Sequence, residues 1–175
     1  MQKYFEAAKT AEDLKAMYHR WCKTLHPDNG GNAADFIRMR AEFKALWAKL
    51  QDVHTTKEGK TYTASAGRRK YASADEYMDF IDWLVSRLKV TVEINGDWYR
   101  IWGITQQDKE RQRALKEKVA TMPKFVCKWD GRGYWCVRPK DWVKKSKKVW
   151  TLDEIQSAFG STVYTAKDEN AMVVR

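Results

Sequence analysis

Two apolar stripes with helical spacing, separated by a proline, constrain the fold of this chain more than any other feature. The first follows Thr10 and Asp13, which have the spacing of a helix-capping box. Pro27 disfavours helical backbone at the preceding residue, so the first helix should end near His26. A second stripe follows Asn32, and two such helices joined by a short loop form an antiparallel hairpin. The stripe residues are Leu14, Met17, Tyr18, Trp21 and Leu25 in the first helix, and Phe36, Met39, Phe43, Leu46, Trp47 and Leu50 in the second.

The periodicity ends after residue 50 and returns at residue 73. Residues 51–72 are rich in Thr, Lys, Gly, Ser and Arg, which indicates a linker. We expect proteases to cut there and to release two folded pieces. Beyond it, the patterns predict a helix from Ser73, a hairpin at Asn95-Gly96, a helix over about 106–120, strands over 124–129 and 134–138, and a last helix from Thr151 to Gly160.

The sequence therefore predicts an α+β fold. A helical hairpin occupies residues 1–50 and a linker occupies residues 51–72. Residues 73–165 form a second domain with a small antiparallel sheet and covering helices, and residues 166–175 form a tail.

The predicted loop between the first two helices reads His26-Pro27-Asp28. It follows an amphipathic helix with basic residues off its stripe, and in that setting residues 1–50 resemble the J-domain of DnaJ-type co-chaperones. The resemblance implies that the loop and the basic helix face dock on an ATP-bound DnaK-type chaperone and trigger its ATP hydrolysis. The residues so implied in chaperone binding are Lys15, His19, Arg20, Lys23, His26, Pro27 and Asp28.

The C-terminal half resembles the second domain of short J-domain proteins found in bacterial phages and integrative elements. Where such proteins carry Leu-Lys-x-x-Gly-Phe after the middle helix, this chain differs, with Val119-Ala120-Thr121-Met122-Pro123. This chain also lacks the Gly/Phe-rich segment and the CxxC repeats of client-carrying J-proteins, so the C-terminal half must define what is brought to the chaperone, or what else the protein does. The matching segments are Asn95-Gly96-Asp97-Trp98, Trp102-Gly103-Ile104-Thr105, Ala114-Leu115-Lys116, Tyr134-Trp135-Cys136-Val137-Arg138-Pro139, and Thr151-Leu152-Asp153-Glu154-Ile155 with Phe159-Gly160.

The net charge of +10 is concentrated in one part of the chain. Residues 98–148 contain 15 Lys or Arg and 5 Asp or Glu, so the remainder is neutral. A basic segment rich in aromatic residues suits phosphate contact and base stacking, although a solvated loop and buried strand aromatics would give the same composition. The candidate nucleic-acid-binding residues are Trp98, Arg100, Arg132, Trp135, Arg138, Lys140, Lys144, Lys145, Lys147 and Lys148.

Several classes of function lack their sequence signature. The chain has no nucleophile–histidine pattern, glycine-rich phosphate loop or HExxH motif, so we expect no catalytic residues and no enzyme. Three cysteines without CxxC spacing predict no zinc site or disulfide framework, and we expect no metal and no cofactor. Asp75, Asp79 and Asp82 indicate an acidic bias at a helix N-terminus.

Location is predicted from what the chain lacks. No apolar run is long enough to span a membrane, and the opening residues carry no secretory signal. We therefore expect a cytoplasmic protein with no membrane partner.

These observations lead to two hypotheses. In the first, the chain is a non-enzymatic J-domain co-chaperone, encoded by a mobile element, that engages a DnaK-type chaperone through His26-Pro27-Asp28 and presents a target on its C-terminal domain. In the alternative, it is a nucleic-acid-binding or host-defence-inhibiting phage protein in which the hairpin is only a scaffold. Its partner would then be nucleic acid or a host protein.

Overall fold

The computed structural model describes residues 4–56, 59–64, 72–95, 97–143, 151 and 153–154, and the backbone of residues 162–164. The chain divides into two compact units, Met1–Arg87 and Leu88–Arg175. The described residues form four α-helices and two antiparallel sheets, which confirms the predicted α+β class. No helix in these described ranges is long and apolar enough to cross a membrane.

The first unit begins with the predicted helical hairpin. Helix α1 spans Ala11–Leu25 and helix α2 spans Ala33–Leu50. Thr10 and Asp13 form both hydrogen bonds of a capping box at the start of α1, and the Asn32 side chain caps α2. Five of the predicted stripe residues are buried: Leu14 and Tyr18 from α1, and Phe36, Met39 and Phe43 from α2. The others are half-buried, namely Met17, Trp21, Leu25, Leu46, Trp47 and Leu50. Cys22, which the stripe did not include, is buried as well.

The predicted linker contains a short β-hairpin that the sequence pattern missed. Strand β1 spans Val53–Thr55 and strand β2 spans Thr61–Thr63, and they pair antiparallel. Each strand is only three residues long, too short to establish an alternating apolar pattern. The rest of the predicted linker includes residues 57–58 and 65–71, which lie outside the described residues.

The next helix belongs to the first unit and not to the C-terminal domain, where the sequence analysis placed it. Helix α3 spans Ala74–Trp83, starts at a capping box on Ser73 and Glu76, and continues into a π-helical turn, Leu84–Leu88. Its apolar face packs on the hairpin, with the Tyr77 ring stacked on Phe43 at 5.8 Å. The division between units therefore falls after Arg87, not at residue 73.

The three aspartates of α3 each bind a cation of α2, so their interpretation as a simple dipole bias was incomplete. Asp75 lies 2.6 Å from Lys44, and Asp79 lies 2.6 Å from Arg40. Asp82 also binds Arg40, and it is buried, whereas Asp75 and Asp79 are exposed. These ion pairs orient α3 along α2.

The second unit is a five-stranded antiparallel sheet covered by a helix. Its strands are β3 (Thr91–Asn95), β4 (Trp98–Trp102), β5 (Phe125–Asp130), β6 (Tyr134–Pro139) and β7 (Thr162–Tyr164), in the order β5-β6-β4-β3-β7. Helix α4 spans Lys109–Ala120. The two predicted strand pairs and the predicted helix between them are confirmed, within a few residues at their ends.

The C-terminal end of the second unit was only partly predicted. Thr151 and Glu154 form the expected capping box, with hydrogen bonds of 2.9 and 3.2 Å, and residues 153 and 154 are helical. The remaining residues of that predicted helix, 155–160, and the predicted tail, 166–175, lie outside the described residues. Strand β7 pairs with β3 at the sheet edge, where the sequence showed no strand pattern.

Candidate functional site

The loop between α1 and α2 is a tight turn fixed by its own hydrogen bonds. Residues Pro27–Asn29 form one turn of 3₁₀ helix, and the His26 carbonyl accepts from the amides of Asn29 and Gly31 at 2.9 and 3.0 Å. The His26 ring accepts from the Asp28 amide through Nδ1 at 3.1 Å. The loop therefore has one defined shape before any partner binds.

Two glycines close this turn for different reasons. Gly30 has φ +85°, a left-handed conformation that side chains with a Cβ disfavour. A Cβ on Gly31 would lie 2.2 Å from the carbonyl carbon of Leu25, so only glycine fits against the end of α1. The Asn29 side chain adds a third restraint by donating to the Lys23 carbonyl at 3.3 Å.

The tripeptide presents two of its three side chains to solvent. Pro27 and Asp28 are exposed, and the Asp28 side chain keeps 56% of its surface accessible. The His26 ring is 13% exposed and packs edge-on against Phe36 of α2 at 4.9 Å. His26 therefore sets the loop geometry, whereas Asp28 projects outward and can accept hydrogen bonds from a partner.

The basic face expected on α1 is narrower than the sequence indicated. Arg20 is exposed and Lys23 is half-buried, both in the half of α1 nearest the loop. Lys15 is also half-buried, and its ammonium lies 5.5 Å from the Trp47 ring and 5.4 Å from the Tyr77 ring. Lys15 therefore turns toward aromatic rings of α2 and α3, and the positive charge beside the loop comes mainly from Arg20 and Lys23.

His19 is buried and not on an exposed basic face of α1, contrary to the sequence-based prediction. It is 1% exposed. Burial, together with the nearby Lys23 ammonium, holds the pKa of His19 well below its usual range. Positions 19 and 20 are neighbours on the helix but point about 100° apart, which is why Arg20 faces solvent while His19 faces the core.

The sheet of the second unit has two chemically different faces. Residues paired across antiparallel strands point to the same side. One side carries Phe125, Cys127, Trp129, Trp135, Val137, Tyr99 and Ile101, and α4 covers it, with Lys116 lying 5.1 Å from the Trp135 ring. We call the other side the basic-aromatic face; its side chains are Val126, Lys128, Asp130, Tyr134, Cys136, Arg138, Trp98, Arg100, Trp102, Thr91, Glu93 and Asn95.

The basic-aromatic face ends in a cluster of two tryptophans and an arginine. The Arg138 guanidinium carbon lies 5.8 Å from the Trp98 ring and 5.2 Å from the Trp142 ring. The two indoles meet edge to face at 4.8 Å and 85°. Arg138 Nη1 donates to the carbonyls of Pro139 and Trp142, which ties the segment after β6 to the cluster. A planar cation is thus held against two touching aromatic rings, where the inner strands β4 and β6 begin and end.

Two of the predicted nucleic-acid contacts, Arg100 and Trp135, are buried, so the prediction was wrong for both. Arg100 is 3% exposed and binds Glu93 at 2.9 Å and also Asn95, so its charge is neutralised inside the unit. Trp135 is 5% exposed and lies under α4 on the covered face. These two side chains therefore pack inside the second unit and do not form part of a binding surface.

The remaining predicted residues fall into three groups. Trp98 and Arg138 lie together on the basic-aromatic face, and Lys140 is exposed just beyond β6. Arg132 is exposed in the β5–β6 turn but binds Asp130 through two nitrogens at 3.0 Å, and these bonds lower the pKa of Asp130 to about 2. The lysines of the densest run, Lys144, Lys145, Lys147 and Lys148, lie outside the described residues.

Two residues of this region were missed by sequence reasoning. Lys128 is exposed on β5 on the same face as Arg138, and strand alternation alone would have placed it there. Trp142 is 41% exposed and completes the cluster with Arg138. It follows the end of β6, where the sequence carries no strand pattern, so no local signal pointed to it.

Other kinds of site receive no support from side-chain placement. Across the described ranges, no group of three or more His, Cys, Asp or Glu side chains is placed to hold a metal ion. Burial raises the pKa of Cys127 to about 12 and that of Cys136 to about 11, so both thiols stay protonated. Comparisons with protein-family models, with curated proteins and with solved structures gave no match to this chain.

Proposed function

We propose that this protein is a J-domain co-chaperone that engages a DnaK-type chaperone through the His26-Pro27-Asp28 loop. The observation that carries the proposal is the loop itself, a hydrogen-bonded turn at the end of a helical hairpin with Asp28 exposed. A turn that is already ordered loses little conformational entropy on binding, so its few contacts can contribute fully to affinity.

The chemistry of the loop suits recognition of a basic site on a partner. An exposed carboxylate such as that of Asp28 accepts charge-assisted hydrogen bonds from an arginine. Pro27 fixes its own φ angle and so stiffens the turn. His26 supports the turn from inside, through Phe36 and the Asp28 amide.

The charge beside the loop suits an acidic surface on the same partner. Arg20 and Lys23 lie within two turns of the loop on α1. Such charges accelerate encounter and fix the register of the complex more than they raise its affinity, and salt weakens their effect. Arg20→Ala should therefore slow association with the chaperone, most strongly at low ionic strength.

The second unit has the complementary role in this proposal, which is to hold the target delivered to the chaperone. A protein of this kind encoded by a phage or integrative element would redirect a host chaperone to a target of its own. The hydrolysis of ATP takes place on the chaperone, and the loop acts by binding.

The test is single-turnover ATP hydrolysis by a bacterial DnaK in the presence of the full chain. We expect stimulation by the wild type and its loss in Asp28→Asn, which removes the charge at nearly constant volume. Asp79→Asn is the matched control, because the Asp79 side chain is 58% exposed, close to the 56% of Asp28, and lies on α3.

Circular dichroism should show that both variants fold. The proposal is wrong if the wild type gives no stimulation, or if Asp28→Asn stimulates as strongly as Asp79→Asn.

A further inference from the structure

We propose that the cluster of Trp98, Arg138 and Trp142, with Lys128 and Lys140 beside it, binds single-stranded nucleic acid. The proposal is independent of the J-domain assignment, since all five residues belong to the second unit. It retains three of the residues singled out from sequence, Trp98, Arg138 and Lys140, and adds Lys128 and Trp142.

Apolar surface is exposed at the cluster. Four large apolar side chains are exposed in the described residues, and two of them, Trp142 at 41% and Val143 at 73%, are adjacent and lie at this cluster. Contiguous apolar surface rimmed by polar groups is typical of interaction sites and ligand-binding grooves. The other two, Ile37 and Tyr62, belong to the first unit and are 25 positions apart in the sequence.

The chain around the cluster carries an excess of positive charge. From residue 124 to residue 143 the chain carries five Lys or Arg and two Asp, and Asp130 is bound by Arg132. Lys128 and Lys140 are exposed, and Arg138 uses Nη1 alone for its hydrogen bonds among the described residues. A surface with spare cationic donors beside aromatic rings is complementary to phosphates and bases together.

The segment that carries Trp142 is held to the sheet by backbone hydrogen bonds. The Lys140 amide donates to the Lys124 carbonyl at 2.8 Å and continues the β5–β6 ladder beyond Pro139. The Trp142 amide donates to the Pro139 carbonyl at 3.4 Å. Because the backbone that leads from β6 to Trp142 is hydrogen-bonded to the sheet, the Trp142 ring is positioned without the ligand, and less entropy is lost on binding.

The geometry favours a single strand over a duplex. The ring faces beside Arg138 can stack only on a base whose own face is free, and bases of a duplex are covered by their neighbours. Stacking of this kind is insensitive to sequence. The proposal therefore names single-stranded DNA or RNA, and not a specific duplex site.

The experiment is fluorescence anisotropy of labelled oligothymidylate, oligouridylate and a duplex of equal length, titrated with the full chain over a range of salt. We expect both single strands to bind more tightly than the duplex. Trp142→Ala should weaken single-strand binding about 5- to 150-fold with no change in the slope of log affinity against log salt. Trp142→Phe, which keeps a ring, should retain most of the affinity.

The charge contribution is separated by a second pair of variants. Lys128→Gln/Lys140→Gln should make the salt slope shallower by about 1.4, since each phosphate contact on a single strand contributes about 0.7. Lys109→Gln/Arg113→Gln is the control, because it removes the same charge from exposed positions on α4, over the opposite face of the sheet. Arg138→Lys should weaken binding at unchanged slope, since it keeps the charge and loses the planar group.

Three results would overturn the proposal: no binding at low salt, equal binding of single strand and duplex, or equal effects of Trp142→Ala and of Tyr62→Ala. Tyr62 is the matched exposed aromatic, at 47% exposure, in the first unit. Binding of polyglutamate but of neither oligonucleotide would assign the surface to an acidic protein and would also refute it. Thermal melting of each variant should show that a loss of binding is not a loss of fold.

Discussion

The hydroxyl of Tyr18 on α1 donates a hydrogen bond to the carboxylate of Asp82 on α3, at 2.8 Å, across 64 residues of chain. Both side chains are buried, and the same carboxylate accepts from the thiol of Cys22 and binds Arg40 of α2. Burial raises the pKa of Asp82, while the bonds from Cys22 and Tyr18 and the charge of Arg40 lower it. One acidic group therefore joins the three helices of the first unit.

The first prediction concerns the stability that this group supplies. Asp82→Ala leaves the buried Tyr18 hydroxyl without its acceptor, so we expect a loss of about 1–3 kcal/mol in the free energy of unfolding. Asp79→Ala removes the exposed partner of the same guanidinium and should cost less than about 1 kcal/mol. Urea denaturation measures both, and equal losses would show that the buried hydrogen bonds contribute little.

The second prediction is a pH dependence that originates at His19. Its pKa in the folded chain is well below the value near 6.5 of an unfolded one, because of burial and Lys23. Below about pH 6.5 the unfolded chain therefore binds a proton that the folded chain does not. Stability should fall with decreasing pH from there, by up to about 1.4 kcal/mol per unit, until the folded pKa is reached.

The measurement for His19 is the free energy of unfolding between pH 8 and pH 5, compared with that of His19→Gln. The variant should show a shallower decline, because it lacks the titrating group. Parallel curves for the two proteins would mean that other groups cause the pH dependence.

The third prediction concerns the loop. Gly31→Ala would place a Cβ 2.2 Å from the Leu25 carbonyl carbon and force the turn away from α1. We expect it to cost about 1–3 kcal/mol, as overpacking of a closely packed site does. Gly131→Ala is the control, because a Cβ there has nothing within 4 Å, and its effect should stay within about 0.5 kcal/mol. A fully stable Gly31→Ala would show that the close approach can relax.

Gly31→Ala also tests how function depends on loop shape. If the proposed chaperone binding needs the turn as it stands, the variant should stimulate DnaK less than Gly131→Ala does, at a temperature where both are folded. Equal stimulation would mean that loop geometry is not limiting.

The fourth prediction reverses an expectation from sequence. Cleavage at a protease site inserted at residues 65–70 would cut the chain between α2 and α3. However, α3 packs on both α1 and α2 within one unit. We expect the two cleaved fragments to elute together in size-exclusion chromatography, and Asp82→Ala to promote their separation. Fragments that separate in the wild-type background would support the domain boundary at residue 73 that the sequence predicted.

The helical hairpin was predictable because its signals are local. Capping by Thr10 and Asn32 and the stop at Pro27 involve residues within three or four positions, and the apolar stripes identify the buried side of each helix. The same holds for the strand pair β3–β4, whose turn residues lie between two alternating runs. The sequence thus determined which segments become helices and strands there.

Long-range contacts decided what each element packs against. The stripe of α3 requires burial, but nothing within α3 states that Tyr77 stacks on Phe43 or that Asp82 meets Tyr18. His19 is buried and its neighbour Arg20 is exposed because of the side of α1 that faces the core. Burial depends on residues far along the chain, so local patterns leave it open.

The sheet of the second unit shows the same division most clearly. Strand alternation in the sequence places Trp135 on one face and Arg138 on the other, because successive side chains point to opposite sides. Only the tertiary structure decided that α4 covers the face of Trp135 and that Trp142 joins Trp98 around Arg138. The period of a strand is a property of its own backbone, whereas the choice of the covered face depends on apolar area supplied by another element.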